Sequence, residues 1–165
     1  MEPLSQDEIR ASFVNCSRGE AKGVTMPVGF GELRWENLDF LGWRDPKATG
    51  RAYLVVPHEG GIVGLSLRAA TPPKGRLRSN MCALCLTTHG VADIALFSSR
   101  RAGKPGREGN TLGTYVCANL ACSRYVRREL TSEVPQPDES LTLDGRILRL
   151  REKVRKFVER VLENQ

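Results

Sequence analysis

Four cysteines hold the chemistry this chain can offer. Cys82 and Cys85 form a C-x2-C pair; after 31 further residues, Cys117 and Cys122 form a C-x4-C pair. Two sulfurs two residues apart can point at one metal ion from a single tight turn. The second pair lies far along the chain, so a shared ion would staple two distant segments. Thiolates are soft donors, and four of them in a tetrahedron suit Zn2+. A closed four-sulfur shell leaves no open position for water or substrate, so the expected role of this one zinc ion is structural. His89 follows Cys85 by four residues and could compete as a ligand. Its plainer reading is a polar residue at the exit of the knuckle. Cys16 fits no ligand spacing and reads as a small buried or half-buried apolar residue.

Little other material for catalysis is present. The chain has two histidines, and His58 sits in a Pro-His-Glu-Gly turn without a matching partner. Glu59 and Asp93 have no paired carboxylate at a telling spacing. No GxSxG, P-loop or GxGxxG motif occurs. Gly60-Gly61 and the glycines from Gly103 to Gly109 read as turns, not phosphate cradles, because neither leads directly into a helix. An enzyme is therefore not expected, and neither is a small-molecule substrate or a cofactor other than the metal.

The elements that must position the sulfurs follow from local patterns. Ser5 and Glu8 form a capping box for a first helix, with Ile9, Phe13 and Cys16 on one face and Gly19 at its end. The stretch from Leu33 to Trp43 is compatible with a short strand or a turn. Arg51–Val56 reads as a strand stopped by Pro57, and Ile62–Arg68 as its return partner across Glu59-Gly60-Gly61. Val91–Ser98 and Thr114–Val116 read as two further strands, the latter delivering Cys117. Arg100–Asn110 between them reads as an exposed Gly- and Arg-rich loop. Ala118–Leu130 reads as a helix with Cys122 in its first turns, and Thr131–Ser140 as a linker. Ile147, Leu150, Val154, Phe157, Val158, Val161 and Leu162 recur at helical spacing and predict a C-terminal helix within 141–163. The expected fold class is α+β: a small antiparallel sheet, a four-cysteine treble-clef zinc finger and a C-terminal helix. The expected organisation is a single domain over 1–165, with the zinc subdomain at 79–130.

At 165 residues with 40% apolar and 27% charged content, the composition is that of an ordinary globular domain. The first residues, MEPLSQDEIR, lack an apolar signal region, and no apolar run is long enough to span a bilayer. A cytoplasmic location is expected, where thiols stay reduced and paired cysteines favour metal over disulfides. The net charge is +6. From Arg68 to Arg107 eight basic residues (Arg68, Lys74, Arg76, Arg78, Arg100, Arg101, Lys104 and Arg107) face a single acid, Asp93. Arg124, Arg127 and Arg128 can extend that patch. Such a surface suits phosphates or an acidic protein face.

Three stretches together resemble a known family: Ser79-Asn-Met-Cys82-Ala-Leu-Cys85, the Arg-rich hairpin, and Gly113-Thr-Tyr-Val-Cys117-Ala-Asn-Leu-Ala-Cys122-Ser-Arg. The chain is similar over residues 5 to 163 to the treble-clef domain of elongation factor G-binding proteins, which include the fusidic acid resistance proteins. The resemblance implies a non-enzymatic zinc module that binds elongation factor G and helps free it from the ribosome. It carries the metal ligands onto Cys82, Cys85, Cys117 and Cys122. It places the contact surface on the zinc-domain face near the hairpin and helix, for which Arg100, Arg101, Lys104, Tyr115, Arg124 and Arg128 are the candidates. The resistance proteins place a helical bundle before this domain, whereas only about 20 residues at the start of this chain could be helical, too few for one. A second reading is a zinc module that binds RNA or the ribosome without specificity for the factor.

Overall fold

The computed structural model describes residues 1–70 and 79–163. The loop read over Thr71–Gly75, and with it Lys74, Arg76 and Arg78 of the basic run, lies outside the described residues. In chain order the elements are α1 (Gln6–Ala11), α2 (Arg18–Lys22), β1 (Leu41–Arg44), β2 (Arg51–His58), β3 (Gly61–Ala70), β4 (Ser79–Met81), β5 (Thr88–Gly90), β6 (Ile94–Arg100), α3 (Gly103–Arg107), β7 (Thr111–Cys117), α4 (Cys122–Val126) and α5 (Leu143–Leu162). Single 3₁₀ turns occur at Phe30–Glu32, Trp35–Asn37 and Val91–Asp93. A five-stranded antiparallel sheet runs β1-β2-β3-β6-β7, and β4 pairs with β5 as a separate ribbon. The α+β architecture with a C-terminal helix is the one expected from the sequence.

Each face of the sheet has its own core. On one face Ala52, Leu54, Leu65, Leu67, Phe97 and Val116 pack with the cysteine cluster and with α5. The helix presents Leu150, Val154, Phe157, Val158 and Val161, all buried. Burying each such side chain stabilises the fold by about 2 kcal/mol, which is what the periodic apolar stripe anticipated. On the other face Leu41, Trp43, Tyr53 and Val55 pack under the N-terminal segment with Ile9 and Val24. Trp43 donates its indole N–H to the Thr25 carbonyl at 2.8 Å, and Trp35 packs edge-on against Phe30.

Two glycines permit the crossings that bring these layers together. A Cβ at Gly64 would lie 2.4 Å from Ser12 Oγ, where the N-terminal segment bridges onto β3. A Cβ at Gly42 would lie 2.8 Å from Leu120 Cβ, where β1 passes the second cysteine loop. Asn15 completes the N-terminal attachment at the point where β3 and β6 part. Its Nδ2, with two hydrogens to give, lies 2.9–3.0 Å from Ser66 O, Ser99 Oγ and Arg100 O, and its Oδ1 accepts from Ser66 N at 2.8 Å.

Several local readings are corrected. The first helix ends at Ala11, and Gly19 lies inside α2, because Ser17 and Glu20 form a second capping box that restarts the helix. Phe13 leaves the helical path to bridge Gly64. Strand β2 continues through Pro57 to His58; Val55 is the last β2 residue paired with β1, so no ladder bond on that side is lost to the proline. Strand β6 begins at Ile94, after the turn at Val91–Asp93, and continues to Arg100. Strand β7 is longer than read, starting at Thr111. The Arg100–Asn110 segment, including Gly103, contains α3, with Pro105 and Gly106 buried. The helix read over Ala118–Leu130 shrinks to Cys122–Val126, since Leu120 and Arg128 adopt left-handed φ of 57° and 56° that interrupt it on either side.

Candidate metal centre

Strand β4 runs into Cys82, and the turn beyond it closes with Leu86 N donating to Cys82 O (3.0 Å) and Cys82 N to Thr87 O (2.9 Å). Cys85 N donates to Cys82 Sγ at 3.4 Å, the N–H···S contact of a knuckle. Leu86 takes φ 60° to return the chain into β5. The second pair is set in the same manner. Cys117 ends β7, Leu120 N closes onto Cys117 O at 2.8 Å, and Cys122 opens α4. Left-handed φ at a non-glycine residue costs on the order of 1 kcal/mol or more, and both sulfur-bearing loops place a leucine there. Ala83 N donates to Tyr115 O at 2.8 Å, which docks the knuckle on β7. Knuckle, hairpin and helix start thus converge as a treble clef.

The four sulfurs lie within 4.8 Å of one another, with Cys82–Cys122 at 3.7 Å and Cys85–Cys117 at 3.5 Å. A regular tetrahedron of four sulfurs on zinc with 2.3 Å bonds has edges of about 3.8 Å. All four cysteines are buried and none is in a disulfide. The donor set, spacing and enclosure fit one structural zinc ion. The crowded sulfurs perturb one another: the Cys122 thiol is pushed well above its ordinary range, first by Cys117, then by its other two sulfur neighbours and by burial. Cys85 is drawn down, first by its contact with Cys117. A dication removes that conflict by holding all four as thiolates.

His89 lies on β5 at the exit of the knuckle, as read, and is drawn into the interior beside the sulfurs. It is 1% exposed, its Nε2 lies 3.3 Å from Cys117 Sγ, and its ring meets Tyr125 edge-on at 4.6 Å. With the proton on Nε2 it donates to the sulfur and spreads the excess negative charge of four thiolates on one dication. No sequence spacing flagged this role.

A second contact that the sequence did not disclose ties the metal module to the rest of the molecule. The Asp39 side chain is fully buried and accepts from Arg127 (2.6 and 3.3 Å) and from Arg151 Nε (2.8 Å). Ser123 Oγ accepts from Asp39 N at 2.9 Å. One carboxylate therefore joins α4 and α5 to the segment before β1. Arg127, read as part of a basic surface, is instead 11% exposed in its side chain and engaged in this pair.

The six residues expected on a docking surface do not form one patch. Tyr115 is 38% exposed on the opposite side of β7 from Val116. Arg124 is exposed on α4 and pairs with Glu129 at 3.6 Å. Arg128 is exposed and lines a groove of about 610 Å3 beside Met81, Cys85, Leu86 and Tyr125. Arg100 and Lys104 lie toward the other end of β6 and just beyond it, about 20 Å from the Ile94–Cys117 pairing by strand rise. Arg101, read as exposed, is half-buried. Its Nη1 donates to Arg160 O at 2.7 Å and lies 3.9 Å from Glu163 Oε2, which clamps the end of α5.

Residues 8–161 match the FBP C-terminal treble-clef zinc-finger family. Comparison with curated proteins and with solved structures gives no match. The four sulfurs around one cavity and the helix opened by Cys122 are the features that this family's description predicts, and the chain belongs to the FBP C-terminal treble-clef zinc-finger family.

Proposed function

We propose that the chain is a non-enzymatic adaptor that binds translation elongation factor G and promotes its release from the ribosome. The observation that carries this reading is a sealed four-thiolate centre whose outer shell is accessible: Met81 is 41% and Tyr115 38% exposed, with Arg124 and Arg128 exposed on and just after α4. A closed metal shell supports recognition and not substrate turnover. Exposed Met81 and Arg128 line one groove, and methionine, tyrosine and arginine are side chains that protein-binding surfaces favour. The family's resemblance to factor-binding proteins supplies the partner, and translation in turn implies the cytoplasm. No helix among the described residues is long and apolar enough to cross a membrane.

The test is a pull-down with the zinc-loaded chain against purified elongation factor G. Retention of the factor is expected. The double variant Y115A/R128E is expected to weaken it at least tenfold without loss of bound zinc, as substitution at an aromatic anchor does. A wild-type chain that retains no factor while holding one equivalent of zinc overturns the reading.

A further inference from the structure

Away from the metal, the open part of the sheet gathers arginines in an arrangement that packing does not require. Arg51 on β2 and Arg68 on β3 are direct cross-strand partners. Like charges at opposed positions destabilise a sheet. Arg68 in turn faces Ser98 on β6, and Arg100 follows two residues later. All three arginines line one cleft of about 190 Å3, walled by Asn15, Cys16 and Glu20 of the N-terminal segment. An adjoining hollow of about 290 Å3 shares Asn15, Cys16, Glu20 and Arg100 and adds Arg107. The two make one groove carrying four exposed arginines, none of which forms an ion pair among the described residues.

Among the described residues lining the groove Glu20 is the one acid, and it is already engaged. Its carboxylate accepts from Ser17 N at 2.8 Å as part of the α2 capping box. That bond is the main reason its pKa is held low, with Arg100 and Arg68 adding to the effect. One anion committed to a helix cap does not neutralise four cations.

We infer that this groove binds the phosphodiester backbone of a single-stranded nucleic acid, an activity separate from docking on a translation factor. Guanidinium groups match phosphate oxygens with paired, directed donors. The aromatic residue lining the groove, Tyr53, is 4% exposed and donates its hydroxyl to Asp45, so among the described residues no ring is offered there for a base to stack on. The groove therefore reads charge and spacing along a backbone, and four arginines across two joined hollows suit successive phosphates better than one ion.

The experiment uses the full zinc-loaded chain and a fluorescein-labelled 20-nucleotide polyuridylate, with anisotropy followed from 50 to 200 mM KCl. Four phosphate contacts predict a log–log salt slope of about −2.8, an affinity loss of about 50-fold over that range. The double variant R51S/R68S is expected to flatten the slope by about 1.4, since each lost phosphate contact on a single strand removes about 0.7. Its melting temperature should hold or rise, because the like-charge pair is relieved. Capture of elongation factor G by this variant should be unchanged, which separates this inference from the adaptor reading. The inference is overturned by absence of binding at 50 mM KCl, or by an unaltered slope in R51S/R68S. It is equally overturned if polyglutamate displaces the probe as well as unlabelled polyuridylate does, which would mark the groove as a reader of acidic protein segments. A melting temperature that drops together with binding would assign the arginines a structural role instead.

Discussion

Around Trp43 and Tyr53 the chain uses strands of four to ten residues and a layer of large apolar side chains. Around the cysteines it uses two three-residue strands and a five-residue helix. A helix of that length is not stable by itself, because nucleation outweighs so few hydrogen bonds. Where the elements are too short to hold themselves, four sulfurs on one ion tie them to the core beneath, and the backbone accepts left-handed leucines at 86 and 120 to bring the sulfurs together. The difference is one of what holds each region. The first is held by many weak contacts that tolerate single losses, the second by a few strong ones that do not.

The sharpest way to break that contrast is to remove the metal. A structural zinc site is worth about 10–16 kcal/mol of apparent binding free energy at neutral pH. Chelation, or Cys122→Ser, is therefore expected to abolish amide-exchange protection in β4, β5 and α4 while much of that in β1, β2 and β3 persists. Protection that survives in β4, β5 and α4 after the zinc has left would show that the module folds on apolar contacts alone.

Next in size is the link between the regions. Asp39→Ala leaves Arg127 with its carboxylate partner gone in a nearly closed site, which costs about 3 kcal/mol in comparable buried pairs. Denaturant titration is expected to show a lower midpoint, with zinc still bound near the start of the transition. An unchanged midpoint would mean that α4 and α5 hold their positions without this carboxylate.

The smallest effect lies in the N-terminal segment. Glu8 and Glu20 have lowered pKa values, each chiefly from the backbone amide of its capping serine. A carboxylate depressed in the folded state contributes stability above its unfolded value of 4.5, and that contribution is lost as pH falls through the lower folded value. Mild acid should therefore loosen α1 and α2 slightly. Ser5→Ala and Ser17→Ala should each cost about 1 kcal/mol at neutral pH but keep most of the acid sensitivity, because alanine retains the backbone N–H; Glu8→Gln and Glu20→Gln remove the titrating group and should abolish it. A pH dependence that persists in the double variant E8Q/E20Q would place its origin elsewhere in the chain.

What could be read along the chain depended on range. The metal ligands, the C-terminal helix, the Ser5–Glu8 cap and the β2–β3 hairpin all announce themselves through local spacing, period and turn chemistry. The second cap at Ser17 and Glu20 carried the same local signal and was hidden by the apolar reading of Phe13 and Cys16. The length of α4 was not legible, because helix propensity continues past Val126 while the geometry of the cysteine loop and the pairing of Arg127 with Asp39 do not.

The sulfur spacing by itself determined that this chain holds a metal and that its role is structural, since coordination chemistry depends on donor type and count. Tertiary structure alone decided which charges remain free. Arg101 and Arg127 are drawn into partners 62 and 88 residues away, His89 is folded in beside a thiolate, and Arg51, Arg68, Arg100 and Arg107 are gathered into one groove. A charge acts through distances of a few ångströms, and those distances are set by strands and helices whose contacts span most of the chain.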